Sequence, residues 1–201
     1  FDQRWVGVDP SNGQPLYLDA EGDLTTQFDR DANGVYLDKQ FDPFWTGGFG
    51  TDIQWKNFRL SELFSFAADT WRRNSSYAIT EDAALGGFAN QNVSMLDAWT
   101  TPGQVTDVPS LEFGGLRAQQ GDRYIEDASF LRLRNITLDY NFDQETLDKI
   151  GFFKNIRIFV QGTNLVTWTK WRGFDPETNE LGDFFNYPST PQLSTGLDVT
   201  F

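Results

Sequence analysis

The feature that most narrows the possible folds is a strict alternation of apolar and polar residues, repeated in runs bounded by Gly, Pro, Asn and Asp. Period two is the geometry of a β-strand, whose successive side chains point to opposite faces. Leu193, Thr195, Leu197, Val199 and Phe201 fall on one face, with Ser194, Gly196, Asp198 and Thr200 on the other. From Ile156, the residues Ile156, Ile158, Val160, Gly162, Val166 and Trp168 form an apolar face, while Phe159, Asn164 and Leu165 break the pattern. Ile136, Leu138, Tyr140 and Phe142 alternate with polar neighbours, but Leu131 and Leu133 carry the opposite parity. A β-bulge produces such a phase change. Trp45, Phe49, Thr51, Ile53 and Trp55, a very short turn at Lys56-Asn57, then Phe58, Leu60, Phe64 and Phe66 read as a hairpin.

These runs predict an all-β chain with strands over residues 44–55, 58–68, 126–142, 156–169 and 193–201. Helix is expected at most once, at Asp143 to Ile150, with Asp143 as its cap and Gly151 after it. Gln3 to Gln40 and Phe66 to Ile125 read as long loops. No window comes near the ~18 apolar residues of a membrane helix. With neither His nor Cys, disulfides, zinc ligand sets, Ser-His-Asp triads and Cys nucleophiles are excluded. Lys+Arg 16 against Asp+Glu 29 gives a net charge of −13, which repels phosphate backbones, so nucleic acid is not an expected partner. The only Met is Met95, so the chain is expected to be a processed or cut piece of a longer one.

Link lengths add topology. Lys56-Asn57 and Asp143 to Asn155 are short links, Asp69 to Ile125 and Lys170 to Gln192 are long ones, and they alternate. In an up-and-down sheet alternate links lie at the same end, which is the asymmetry of outer-membrane barrels with short periplasmic turns and long outer loops. Lipid cannot hydrogen-bond a backbone, so a spanning sheet must close on itself, with strands of about 9–11 residues. Trp45, Trp55, Phe58, Tyr140, Phe142, Trp168 and Phe201 stand near strand ends, where aromatic girdles form. Barrels begin at about eight strands, so five must join others. With the short turns periplasmic, the last strand runs inward and Phe201 ends at the periplasm. The rival is a soluble β-sandwich or jelly roll, which shows the same alternation. Glu62 favours that rival, because it shares parity with Leu60 and Phe64; its closeness to the Lys56-Asn57 turn would reconcile it with lipid.

The run Glu126-Asp127-Ala128-Ser129-Phe130-Leu131-Arg132-Leu133-Arg134-Asn135-Ile136-Thr137-Leu138 resembles a segment of the SusC/RagA-type TonB-linked outer-membrane transporters. Five more pieces resemble that family in the same order: Arg4 to Pro10, Thr46-Gly47-Gly48-Phe49 with Lys56-Asn57-Phe58, Val160 to Leu165, Gly173 to Glu177, and Tyr187-Pro188 to Phe201. Glu62 and Asp139 depart from it, standing where an apolar residue and Gly are usual. The resemblance implies the carboxy-terminal strands of a transmembrane β-barrel of about 22 strands, with the plug domain upstream and outside this chain. It further implies an outer-membrane active importer for glycans, peptides or similar nutrients, without enzymatic activity. The implied partners are a SusD-like surface lipoprotein as lid, TonB through an upstream segment, the barrel-assembly machinery and membrane lipids. The rival from another class is a secreted carbohydrate-binding β-sandwich.

Among the loop aromatics, Trp71, Trp99, Trp168, Trp171 and Phe174 are the candidate ligand or lid contacts, with Tyr77 beside them; the alternative is that they fold the loops or mark the membrane edge. Asp29, Asp31 and Asn33, followed by Gly34, spell the first half of a calcium loop, but position twelve is Gln40 instead of a bidentate Glu, so a turn is the plainer reading. Asp19, Glu21 and Asp23 form a similar cluster. Asp175 and Glu177 could in principle do glycosidase chemistry, but loop carboxylates are usually solvated. Asn74, Asn92 and Asn135 begin glycosylation patterns too common by chance to use. Phe201, an aromatic closing an alternating strand, is the candidate signal for barrel assembly.

Overall fold

One antiparallel sheet satisfies this alternation in the computed structural model, which describes residues 1–85, 89–112, 121–177 and 185–201. In chain order the strands are β1 (Trp5–Val8), β2 (Pro15–Leu18), β3 (Leu24–Thr25), β4 (Trp45–Trp55), β5 (Phe58–Ala68), β6 (Trp71–Arg73), β7 (Ile125–Asp127), β8 (Phe130–Asn141), β9 (Asn155–Thr169) and β10 (Gln192–Thr200). The helices are α1 (Arg30–Asn33), α2 (Ser75–Thr80) and α3 (Gln144–Ile150). The chain divides into a loop unit (Phe1–Asp42, Trp71–Asp127, Trp171–Asn186) and a sheet unit (Pro43–Thr70, Ala128–Lys170, Tyr187–Phe201).

The sheet unit has the order β10-β9-β8-β5-β4, every pair antiparallel. Residues paired across strands share a face, so the register decides what each face carries. Phe58, Leu60, Glu62, Phe64 and Phe66 stand opposite Tyr140, Leu138, Ile136, Leu133 and Leu131 on one side, and opposite Trp55, Ile53, Thr51, Phe49 and Gly47 on the other. The same row continues through Ile158, Val160, Gly162, Val166 and Trp168 to Leu193, Thr195, Leu197 and Val199. One face is therefore apolar across all five strands, and the other collects the polar set. The two-residue turn at Lys56-Asn57 and the α3 link lie at one end of the sheet, and the long excursions leave from the other.

The phase change in β8 is a bulge at Arg134: Leu63 pairs with Asn135 and Phe64 with Leu133, passing over it. On β9 two residues are passed over, Asn164 and Leu165, since Leu133 pairs with Val166 and Asn135 with Thr163. One extra residue flips parity and two preserve it, which is why β8 changes phase and β9 does not. Asn164 supplies the left-handed conformation there, at φ 52°. The other two pattern-breakers fill glycine gaps: the Leu165 side chain occupies the space a Cβ on Gly162 would need, and the Phe159 ring does the same at Gly196, its cross-strand partner. Rings laid over strand glycines restore the packing a missing side chain forfeits.

α3 has the ends its sequence predicts. Asp143 accepts a hydrogen bond from the Thr146 amide at 2.8 Å, which holds its carboxyl below the ordinary carboxylate range, and Gly151 closes the helix at φ 71°.

Four features differ from the sequence reading. The third long strand begins at Phe130 and not at residue 126, because Ile125–Asp127 pairs separately with β6 in the loop unit. Helix is not confined to Asp143–Ile150: Asp29 caps α1 and Asn74 caps α2, elements too short to show a helical period. The expected loop from Gln3 to Gln40 contains the three-stranded sheet β1-β2-β3. Glu62 lies mid-strand and not beside the turn, where its carboxylate accepts a 2.8 Å hydrogen bond from Thr51, its partner across the β4–β5 pair.

Replacing Gly196 by Val should force its side chain into the Phe159 ring and destabilise the sheet by about 1–3 kcal/mol, as overpacking does. The folded fraction of the full-length protein on unheated gels should fall, and Phe159→Ala in the same chain should restore it; failure of that rescue would show that the ring is not the obstacle.

Candidate functional site

Two surfaces offer functional chemistry, and each follows from how its unit is built. In the sheet unit, the apolar face is uncovered: Trp55 is 64% exposed, Val160 45% and Leu193 75%. Aromatic rings collect in two bands across it. Toward the turn end, Phe58 lies 4.9 Å from Tyr140, and Tyr140 5.1 Å from Phe142; nearer the long-loop end, Phe64 stacks on Phe49 at 5.1 Å and reaches Trp168 at 6.4 Å.

The opposite face carries charge in a row across all five strands. Arg59 holds Asp52 through hydrogen bonds of 2.9 and 2.5 Å and stands opposite Asp139. Asp139 pairs in turn with Arg157, whose other nitrogen reaches Asp198 at 2.8 Å. Three carboxylates and two guanidiniums alternate from edge to edge. Further along, Arg132 donates to the Thr167 hydroxyl and the bulged Arg134 to Ser65. Each strand places these groups on one side by the same parity that sends its apolar residues to the other.

In the loop unit the buried interior is largely polar: Gln3, Asn74 and Asp82 are fully buried with Tyr17 and Tyr124. Such groups tolerate burial only when hydrogen-bonded. Glu81 accepts from Ser94 at 2.6 Å, Tyr124 at 3.0 Å and Arg123 at 3.2 Å. The Arg123 guanidinium lies 4.9 Å over the Trp5 ring. Arg172 sits 4.4 Å over Tyr77 and donates twice to Glu126, at 3.1 and 2.5 Å, which raises its pKa further. Burial pushes the Tyr17 phenol up to about 12 and the Tyr124 phenol higher still, and it lowers the pKa of Arg73 against the pull of Asp2. Pockets of about 490, 210 and 510 Å³ open in this unit. The first is polar, with Glu81, Asp97, Asp107 and Arg123 in its wall.

The predicted aromatic contacts separate. Trp168 belongs to the sheet unit and its apolar face, whereas Trp171 is buried in the loop unit at 5% exposure. Trp99 is pinned by a 3.0 Å hydrogen bond to the Pro10 carbonyl and packs on Gly13, and Trp71 lies under the Lys39 ammonium at 5.0 Å. Phe174 is 64% exposed and lines the 210 Å³ pocket with Tyr77 and Phe185. Phe185 carried no sequence signal, since an aromatic residue in a loop has no period to mark it. Phe201 packs on Phe152 and Phe153 at 5.3 and 5.4 Å.

Asp29 accepts from the Asp31 and Ala32 amides, and Asn33 from the Ala20 amide, so these oxygens are engaged in a helix cap and a turn. Asp19 likewise accepts from the Glu21 and Asp23 amides, and Asp175 from the Glu177 amide. Among the described residues no group of three or more acidic side chains gathers to hold a metal ion. Among them too, no helix is long and apolar enough to cross a membrane.

No family model matches the chain. TonB-dependent receptor P3 of Formosa agariphila is 32% identical over 206 residues, covering 96% of this chain and 19% of that protein. TonB-dependent receptor SusC of Bacteroides thetaiotaomicron is 28% identical over 196 residues, covering 94% of this chain and 18% of its own. The structure of the RagAB peptide importer in the open-open state superposes with a TM-score of 0.87 at 29% identity, over 100% of this chain and 22% of that one. The chain thus spans about a fifth of the length of the curated relatives it matches.

The buried Tyr17 phenol makes the loop unit sensitive to alkali. A pKa raised from 10.0 to about 12 by folding gives stability that is complete below pH 10 and lost as the pH rises through about 12. The tyrosinate absorbance of the full-length protein minus that of its Tyr17→Phe variant should therefore show no titration near pH 10; a difference signal centred there would place the phenol in water.

Proposed function

Because the chain is homologous over nearly its whole length to the carboxy-terminal portion of SusC- and RagA-type TonB-dependent receptors, we propose that it forms wall and outer loops of an active nutrient importer. TonB-dependent receptors are outer-membrane proteins, and their family is non-enzymatic. In this reading the apolar face meets lipid, the charged row lines the lumen, and the strands continue on both sides into a closed barrel. An upstream plug and TonB supply the energy coupling, a SusD-like lipoprotein closes the mouth, and the cargo is a glycan, peptide or similar nutrient. The resemblance to the RagAB peptide importer and to SusC supports this assignment.

The observation that carries the reading is the apolar face itself. A carbohydrate-binding sandwich would lay a second sheet over it at about 10 Å, yet Ile53, Leu138, Val160 and Leu197 are all exposed. In hydrocarbon these residues are in their proper solvent, and the two aromatic bands take the place of interfacial girdles. Trp168 then belongs to a girdle. Of the five aromatic candidates Phe174 is left as the ligand or lid contact, while Trp71, Trp99 and Trp171 fold the loops. Phe201 serves barrel assembly as part of a three-ring cluster with Phe152 and Phe153 at the periplasmic end of β10.

The faces can be told apart in the full-length protein. Val160→Arg should sharply lower its level in the outer membrane, because a cation near the bilayer midplane costs about 2–4 kcal/mol, whereas Gln161→Arg on the opposite face should be tolerated. Equal levels for the two variants, or recovery of the wild-type protein from the soluble fraction, would end the barrel reading. Phe201→Ala should also lower the outer-membrane level; unchanged abundance would remove the assembly role.

A further inference from the structure

Resting on the transporter reading, the charged row of the sheet unit also indicates what must stand beside it. Its members are joined by two kinds of step. Arg59 faces Asp139 directly and Arg157 faces Asp198 directly, each across one strand pair. The other two steps are diagonal. The residue opposite Asp52 is Ser61 and the residue opposite Asp139 is Phe159, yet the guanidiniums that reach these carboxylates belong to Arg59 and Arg157, each two residues nearer the turn end. From β4 to β10 the row therefore runs diagonal, direct, diagonal, direct, and both diagonals descend in the same sense. The strand ends shift in that sense too: β5 begins at Phe58, in register with Tyr140 and Ile158, whereas β9 and β10 run on to Asn155 and Thr200. A row held at one level takes on such a slant when the strands that carry it are tilted, as barrel strands are.

Negative charge is left over at the edges. Three carboxylates share two guanidiniums, and the row ends in a carboxylate on each outer strand, Asp52 on β4 and Asp198 on β10. The Asp198 side chain is 57% exposed, and the guanidinium it accepts from, Arg157, is shared with Asp139. In the closed barrel β10 meets the first strand, and that seam has no turn to set its register. A slip of one residue there would exchange the lipid and lumen faces. A slip of two keeps every face and displaces the pairing by only about 7 Å. A charge separates those two registers where apolar side chains do not. We propose that the row continues onto the strand that pairs with β10 as an Arg or Lys one diagonal step on, two residues nearer the turn end than the position opposite Asp198, and that this pair fixes the register in which the barrel closes. At the other edge the same alternation places a cation directly opposite Asp52.

The test uses the full-length protein, whose strand paired with β10 supplies the residue in question; it should be Arg or Lys. Opposite charges across a strand pair shift an equilibrium by up to about fivefold, and like charges act in the reverse direction. Asp198→Lys should therefore lower the folded fraction on unheated gels by about threefold or more. Asp198→Asn, which keeps the shape and removes the charge, should lower it less. Exchanging the charges, by combining Asp198→Lys with Asp in place of the opposing cation, should restore at least half of the loss, which a merely local disturbance around Arg157 would not allow. A seam strand without a cation at that position, wild-type folding of Asp198→Lys, or an exchanged chain no better folded than the single variant would each overturn the proposal. The transporter reading fails separately, by absence of the wild-type protein from the outer membrane.

Discussion

The sheet depends on one constraint: its backbone is paired strand to strand, so its two faces can be given to two different solvents. A helix buries a stripe, but a strand sorts its side chains by parity alone, and a run of five registered strands extends that sorting over a whole surface. The pairing Phe64↔Leu133 and Leu133↔Val166 holds the apolar side continuous through the bulge at Arg134, and β9 keeps its phase beside it because Asn164 and Leu165 are passed over as a pair. The charged row from Asp52 to Asp198 lies on the other side for the same reason.

What was legible in the sequence was what has a period. The long strands, the hairpin at Lys56-Asn57, the phase change after Leu133 and the Asp143-to-Gly151 helix all carry a repeat or a cap that any window reveals. Phe159, Leu165 and Asn164 were visible only as exceptions, because their reasons, Gly196, Gly162 and a positive φ, lie across a strand pair or in the backbone. Glu62 was visible as an exception too, and its partner Thr51 could be identified only once the register was known. Exceptions to a strong pattern were thus informative even when unexplained, since each marked a compensation nearby.

The loop unit was opaque for a different reason. Its interior is made of hydrogen-bonded polar groups, such as Gln3, Asn74, Asp82 and Glu81, and these residue types in a sequence look like solvent-exposed loop. Among the described residues its elements are two to six residues long, below the length at which amphipathic periodicity registers. Aromatic residues there were noticed by type, but type does not separate Trp171, buried, from Phe174, exposed. The separation is made by neighbours distant in sequence, as when Arg172 spans from Glu126 to Tyr77.

The edges of the sheet bear on the proposed wall. β4 and β10 are its two outer strands, and both are exposed along nearly their whole length. Soluble sheets guard such edges with Lys, Pro, bulges or a covering element, because an unpaired row of N–H and C=O groups invites another strand. Neither strand contains a Lys or a Pro, and each runs in unbroken register with its inner neighbour. Each carries one charge, Asp52 or Asp198, and that charge is turned inward to an arginine of the adjacent strand. Edges so unguarded are a liability in water. They are a requirement where hydrocarbon forbids any open edge and further strands must pair on both sides.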